Sequence, residues 1–180
     1  MELALALEES DLQALQSSLT TFVQTHLPLG RAMGIDVHQF TGFDGADGHS
    51  LALSAPLALN DNDKDTAFGG SLYCVAVMTC WSFVYLRCVH QQRLNPALPR
   101  GTPKIVVSKA QIEYLAPVKS EPIVAYCDEV ESALWTPFFD RFDSHGSARI
   151  NLSSQVSTQS DGGGKPAVSF SGAYSLIGFY

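Results

Sequence analysis

The sequence predicts an α+β domain in which one antiparallel sheet wraps around one long apolar helix. Three observations lead there. Phe68–Leu86 contains no charged residue, which marks a helix buried on most sides. Six other segments alternate apolar and polar residues with the period of strands. Their order is helix, two strands, long helix, then the remaining strands with a short helix between them, with no repeat or linker to divide residues 1–180. One helix covers only part of a six-stranded sheet, so a face or edge is left for a partner, which predicts a homodimer or a dimer of dimers.

The elements follow in order. Leu12, Leu15, Leu19, Phe22 and Val23 recur at three- and four-residue steps and predict a helix over about 8–25, an N-terminal extension capped by Ser10 or Asp11 and ended by Pro28. Met33–Phe40 predicts a strand, Thr41–Gly48 a turn-rich loop, and His49–Leu59 a second strand. The polar run Asn60–Asp65 turns the chain into the long helix, which ends near Gln92 before Pro96, Pro99 and Pro103. Lys104–Leu115 and Glu121–Val130 predict strands. In the first, Ala110, Ile112 and Tyr114 share one face. Trp135, Phe138, Phe139 and Phe142 mark a short amphipathic helix. Strands through Ala148–Val156 and Val168–Leu176 flank an Asp161–Gly164 turn.

The 180 residues are 46% hydrophobic and 16% charged, a globular composition with a small charged surface. The net charge of −7 argues against nucleic acid as a partner. Thr66–Ile112 holds no carboxylate but carries Arg87, Arg93, Arg100, Lys104 and Lys109. This is either a zone for a small anionic ligand or the exclusion of carboxylates by a buried helix. The cysteines Cys74, Cys80, Cys88 and Cys127 form no CxxC pair, which fits a reducing, cytoplasmic compartment. Met1–Ser10 is acidic and lacks the basic start of a secretory signal. Phe68–Leu86 includes Gly69, Gly70, Ser71, Thr79 and Ser82 and is read as a core helix, not a membrane span.

The chemistry concentrates in Asn62-Asp63-Lys64-Asp65-Thr66-Ala67-Phe68-Gly69-Gly70-Ser71, a polar loop feeding a helix N-terminus with two glycines at the junction. Such a terminus offers unpaired N–H groups and partial positive charge, and glycine lets a ligand approach them closely. This is the arrangement that binds a thioester carbonyl and stabilises the oxyanion it becomes.

The Asn62-x6-Gly69-Gly70 spacing before a long apolar helix resembles the hotdog-fold thioesterases. Thr66-Ala67-Phe68-Gly69-Gly70-Ser71-Leu72-Tyr73, Gln111-Ile112-x-Tyr114-Leu115-x-Pro117-Val118 and Gly146-x-Ala148-Arg149-Ile150 resemble more narrowly the thioesterase domain found alone, or behind an acetyltransferase domain, in many proteobacteria. The likeness covers roughly residues 27–178. It implies hydrolysis of acyl-coenzyme A or acyl-carrier-protein thioesters, with no cofactor or metal beyond the coenzyme A of the substrate. Carried over, Asn62 places water or thioester, the Gly70 amide is the oxyanion donor, and Phe68, Gly69, Ser71 and Tyr73 line the substrate site. Many relatives carry a helix carboxylate eight residues past the first glycine, where this chain has Val77.

A substitute base is Asp65 or Asp63, another hotdog branch using a loop Asp in about this place. Asp65 is equally a helix N-cap and Asn62 a turn former. Cys74 lacks a partner spacing for a nucleophile. His26, His38, His49, His90 and His145 lack metal-ligand spacing. Thr79 and Ser82 read as packing or water holders, and Tyr73, Trp81 and Tyr85 as core or pocket wall. Arg93, Arg100 and Lys104 read as a solvated face or as contacts for coenzyme A phosphates. Two further functions stand beside the hydrolase. One is a non-catalytic acyl-thioester or fatty-acyl binding module, favoured by Val77. The other is a dehydratase or hydratase, disfavoured because no His falls in the loop or early helix.

Overall fold

A computed structural model describes residues 7–43, 49–128, 130–161 and 164–180. Residues 44–48 of the expected Thr41–Gly48 loop, the centre of the Asp161–Gly164 turn and most of Met1–Ser10 lie outside them. The elements are α1 Glu9–His26, α2 Pro28–Ala32, β1 Asp36–Phe40, β2 His49–Ala55, α3 Gly69–Leu94, β3 Pro103–Tyr114, β4 Ile123–Asp128, α4 Trp135–His145, β5 Ala148–Ser157 and β6 Pro166–Phe179. The strands form one antiparallel sheet in the order β1-β2-β4-β5-β6-β3. This is the hotdog arrangement.

The helix α3 packs against β2, β3, β4, β5 and β6. Its composition requires that. Leu72, Val75, Ala76, Cys80, Phe83, Val84 and Leu86 point round the helix and all are buried. Each large apolar side chain so buried contributes about 1.5–3 kcal/mol. By length and composition α3 is apolar enough to cross a membrane, yet the sheet surrounds it as a core helix. Polar groups of the sheet reach its backbone midway. Ser154 Oγ donates to Ala76 O (3.0 Å) and Tyr174 Oη to Val77 O (2.9 Å).

The helix α1 lays Leu15, Leu19 and Val23 on the core and stacks Phe22 on Trp81 (5.4 Å between ring centroids). It starts after Glu8 without a side-chain cap, so neither Ser10 nor Asp11 caps it. Pro28 follows its C-cap Leu27, where it stops α1, and also opens α2, as a proline at the first helical position does. Three strand limits also differ from expectation. β1 begins at Asp36 because α2 takes the chain to Ala32. Leu57–Leu59 is a 3-10 turn that follows Pro56. β4 spans Ile123–Asp128.

Ala110, Ile112 and Tyr114 alternate along β3, but their face is not buried within the protomer. β3 is an edge strand hydrogen-bonded only to β6, with a register shift between Val107 and Lys109. Ala110 and Tyr114 are exposed and Ile112 is half-buried, while Val106 and Val107 keep 43% and 39% of their surface. A long open edge with apolar side chains on it is a template for pairing with another strand.

Candidate active site

The turn into α3 is fixed by bonds of its own. Asp61 and Ala67 form an isolated antiparallel bridge, and Asn62 N–H donates to Thr66 O (2.9 Å). The Asn62 side chain closes the loop. Its Oδ1 accepts from Lys64 N–H (2.9 Å) and its Nδ2 lies 3.0 Å from Thr66 Oγ1. Asn62 therefore forms the turn, an Asx turn followed by a side-chain clasp. Asp65, at φ 54°, occupies the left-handed position that turn requires.

Asp65 is thus not the N-cap of α3. That position belongs to Phe68, which supplies no side-chain cap. Asp65 is exposed, and Asp63 is paired to Lys64 Nζ at 3.0 Å on the surface. Among the described residues, no hydrogen bond holds either carboxylate against the helix N-terminus.

Two contacts seat the turn on the body of the protein. Asn60 is 2% exposed and donates from Nδ2 to Met33 O and Pro56 O, both at 2.8 Å, while its own carbonyl accepts Phe68 N–H (2.7 Å). Ala67 N–H donates to Val118 O (2.8 Å). The motif from Gln111 to Val118 is therefore the frame on which the glycine turn sits. Asn60 and Tyr114 were not among the residues expected to build the site. The only signals in the sequence were that Asn60 stands first in the polar run and Tyr114 within that second motif.

The first amide bond of the helical ladder is Leu72 N–H to Phe68 O (3.0 Å). The amides of Gly69, Gly70 and Ser71 precede it and lack the intrahelical acceptor that later residues have. The Phe68 ring, 56% exposed, lies over Gly70, where a Cβ would stand 2.5 Å from its Cε1. Tyr114, 54% exposed, reaches from the end of β3 and donates from Oη to Gly69 O (2.9 Å). Phe68, Gly69, Gly70 and Ser71 thus share this turn, while Tyr73 is half-buried with its ring edge-on to Phe170 at 5.9 Å.

One turn on, Cys74 is partly buried, and burial pushes its thiol pKa up, which disfavours the thiolate a nucleophile needs. Val77 follows on the same side and holds the Tyr174 hydroxyl on its carbonyl. Burial foremost, and the neighbouring Cys80, raise the pKa of Tyr174 so that it stays protonated and donates. Thr79 Oγ1 is bonded to Val75 O (2.8 Å), while the Ser82 hydroxyl is fully buried with no hydrogen-bond partner among the described residues. Trp81 donates to Ile105 O (3.1 Å) and stacks on Tyr85, which is buried.

The cations lie elsewhere. Arg93 is 23 residues along α3 from Gly70 by its sequence position, about 35 Å at 1.5 Å per residue. It pairs with Asp11 at 3.5 Å. Arg100 donates to Gln92 O (2.8 Å), Lys104 Nζ lies 4.1 Å from the Tyr180 ring centre, and Arg87 rests on the rings of Phe43 and Trp135. Arg87, Arg93, Arg100 and Lys104 therefore do not gather at the glycines within one protomer. An open groove of about 360 Å³ lined by Ser17, Ser18, Thr21, Phe22, Tyr85 and Thr102 is also distant from them.

Known proteins share this fold. A protein of unknown function from Chlorobaculum tepidum TLS is 34% identical over 93% of this chain and 96% of its own, with a TM-score of 0.76. A protein from Shewanella oneidensis described as a "putative thioesterase" is 28% identical over 92% of this chain and 99% of its own, with a TM-score of 0.68. The PaaI protein of the phenylacetic acid degradation operon of E. coli, at 15% identity over 93% of this chain and 97% of its own, shares the fold with a TM-score of 0.57. The family model described as "Putative thioesterase (yiiD_Cterm)" matches residues 16–177, and the chain belongs to that family.

Proposed function

We propose that this protein hydrolyses acyl thioesters of coenzyme A or acyl carrier protein at the N-terminus of α3. One observation carries the reading: a turn pinned by Asn60 and Asn62 holds the half-buried Gly69, Gly70 and Ser71, whose first-turn amides have no intrahelical acceptor. The thioester carbonyl oxygen accepts from the Gly70 amide. Water attacks the carbonyl carbon, a carboxylate takes its proton, and the developing oxyanion is held by the amide and the positive end of the helix. Collapse breaks the C–S bond, and the thiolate leaves to be protonated, giving a carboxylic acid and a free thiol. Asp65 and Asp63 are the bases proposed, Asn62 holding the turn that carries them. Phe68, Gly69, Ser71 and Tyr73 are proposed to line the acyl site.

The active form is proposed to be a homodimer, or a dimer of dimers, joined through β3. Antiparallel pairing of two β3 strands brings the start of one copy's strand beside the end of the other's. Lys104 of the second copy then lies near Tyr114 and adds positive charge there for coenzyme A phosphates. Four free thiols support a reducing, cytoplasmic setting.

The second reading is a non-catalytic acyl-thioester binding module. Val77 at the usual carboxylate position and the outward placement of Asp63 and Asp65 favour it. Thiol release from a panel of short, long and aromatic acyl-coenzyme A esters separates the two. Turnover that collapses in Asp65→Asn or Asp63→Asn, with the fold intact, is the expected result. Binding without turnover in the wild type establishes the second reading.

A further inference from the structure

We propose that Tyr114 is a positioning residue that sets the direction of the Gly70 N–H, an inference that rests on the thioester reading for its catalytic consequence. Gly69 O and Gly70 N–H belong to one peptide group. In a planar trans peptide the carbonyl and the N–H point in opposite directions, so whatever fixes the oxygen fixes the N–H. The Tyr114 hydroxyl donates to that oxygen at 2.9 Å.

This peptide lies between two glycines. With no Cβ on either side, its plane turns more freely than that of any other peptide in the helix. It is the first peptide of α3, and its oxygen is the one the helical ladder offers to Tyr73, so Tyr114 adds a second donor to it from outside the helix. Tyr114 clamps the peptide with both of its parts. The ring packs beside Gly69, 3.4 Å from where a Cβ would stand, and the hydroxyl holds the oxygen. The bond also polarises the amide, making its N–H a stronger donor toward a developing oxyanion. The end of the edge strand β3 is thereby coupled to the donor at the helix start.

The test compares the wild type, Tyr114→Phe and Tyr114→Leu in steady-state thiol release from an acyl-coenzyme A ester, with the 1H–15N resonance of Gly70 as a second readout. Tyr114→Phe keeps the ring and loses the hydroxyl. Its kcat is expected to fall about tenfold, less than the 10²–10³ that follows deletion of an oxyanion donor, with KM and thermal midpoint held. Its Gly70 amide resonance shifts more than those of neighbouring helix amides. Tyr114→Leu shows the same kcat loss and raises KM as well. An unmoved Gly70 resonance in Tyr114→Phe overturns the clamp, whether or not the wild type turns over. So does a kcat within twofold of an active wild type, or a loss of kcat that tracks a lowered midpoint. If the wild type proves inactive while the Gly70 resonance moves, the hydrolase reading fails and the clamp stands.

Discussion

The Asn60 side-chain amide donates to the Met33 carbonyl at 2.8 Å, joining the turn before α3 to the segment that leads from α2 into β1. The same nitrogen reaches Pro56 O, and the backbone of Asn60 takes Phe68 N–H. One buried residue therefore ties two stretches of chain, at Met33 and at Pro56, to the start of the central helix. Asn60→Ala leaves the buried Met33 carbonyl short of a donor, while Pro56 O keeps the Leu59 N–H (3.3 Å). It is expected to lower unfolding stability by about 1–3 kcal/mol in urea titration. A loss below about 0.5 kcal/mol would show that the anchor is dispensable.

The two glycines at the helix start respond differently to a methyl group. Gly70→Ala places a Cβ where the Phe68 ring now lies, 2.5 Å from Cε1, and because that ring is exposed it swings aside. Stability then changes by no more than about 1 kcal/mol, while the methyl beside the amide lowers kcat/KM at least about tenfold. Gly69→Ala meets Tyr114 only at 3.4 Å, an ordinary contact, and keeps activity within a few-fold. Parallel melting and thiol-release measurements check both, and equal behaviour of the two variants contradicts the assignment of Gly70 as donor.

Asp65 separates backbone from side-chain effects. Its φ of 54° favours glycine, so Asp65→Gly is expected to raise stability by up to about 1 kcal/mol while removing the proposed base. Asp65→Asn tolerates the same backbone and removes only the charge. Loss of turnover in both variants, with one more stable than the wild type, identifies a catalytic carboxylate. Full turnover in both moves the base to Asp63 or favours the binding module.

The open edge of β3 predicts the assembly. Val106 and Val107 keep 43% and 39% of their surface on a strand with one free edge. Val106→Asp or Val107→Lys places a charge on that edge and is expected to shift the protein toward monomer in sedimentation velocity. Turnover falls in step if the second copy completes the site. An unchanged oligomer in both variants puts the interface on another surface.

His90 gives the fold a pH dependence. Burial foremost, then Arg87 and Arg93, lower its pKa from the ordinary 6.5, with Asp11 acting the other way. Its folded value lies below its unfolded one, so the unfolded chain binds the proton first. Stability is therefore retained above pH 6.5 and declines as the pH falls through that value toward the folded pKa. The urea midpoint of the wild type is expected to drop between pH 7.5 and 5.5 by more than that of His90→Gln. Parallel curves for the two proteins would exclude His90 as the cause.

Periodicity and charge made most of the fold legible. The uncharged run from Phe68 to Leu86 has no polar face to turn to water, so it had to be a helix enclosed by a sheet. The alternation in Ala148–Val156 likewise fixed which side of that strand is buried. The glycine turn before the helix was legible because Gly69 and Gly70 stand next to the residues whose amides they expose. What the amino-acid order left open was decided by contacts between distant residues. Asp65 read equally as a cap or a base. The bonds between Asn62 and Thr66 put it in a left-handed turn position and left Phe68 as the cap. Tyr114 read as one member of an alternating strand face. Only the sheet order, with β3 at an edge, freed it to reach Gly69, 45 residues away in sequence. Periodicity records which residues avoid water within one element. The partner a hydroxyl or amide finds depends on which elements tertiary packing brings side by side.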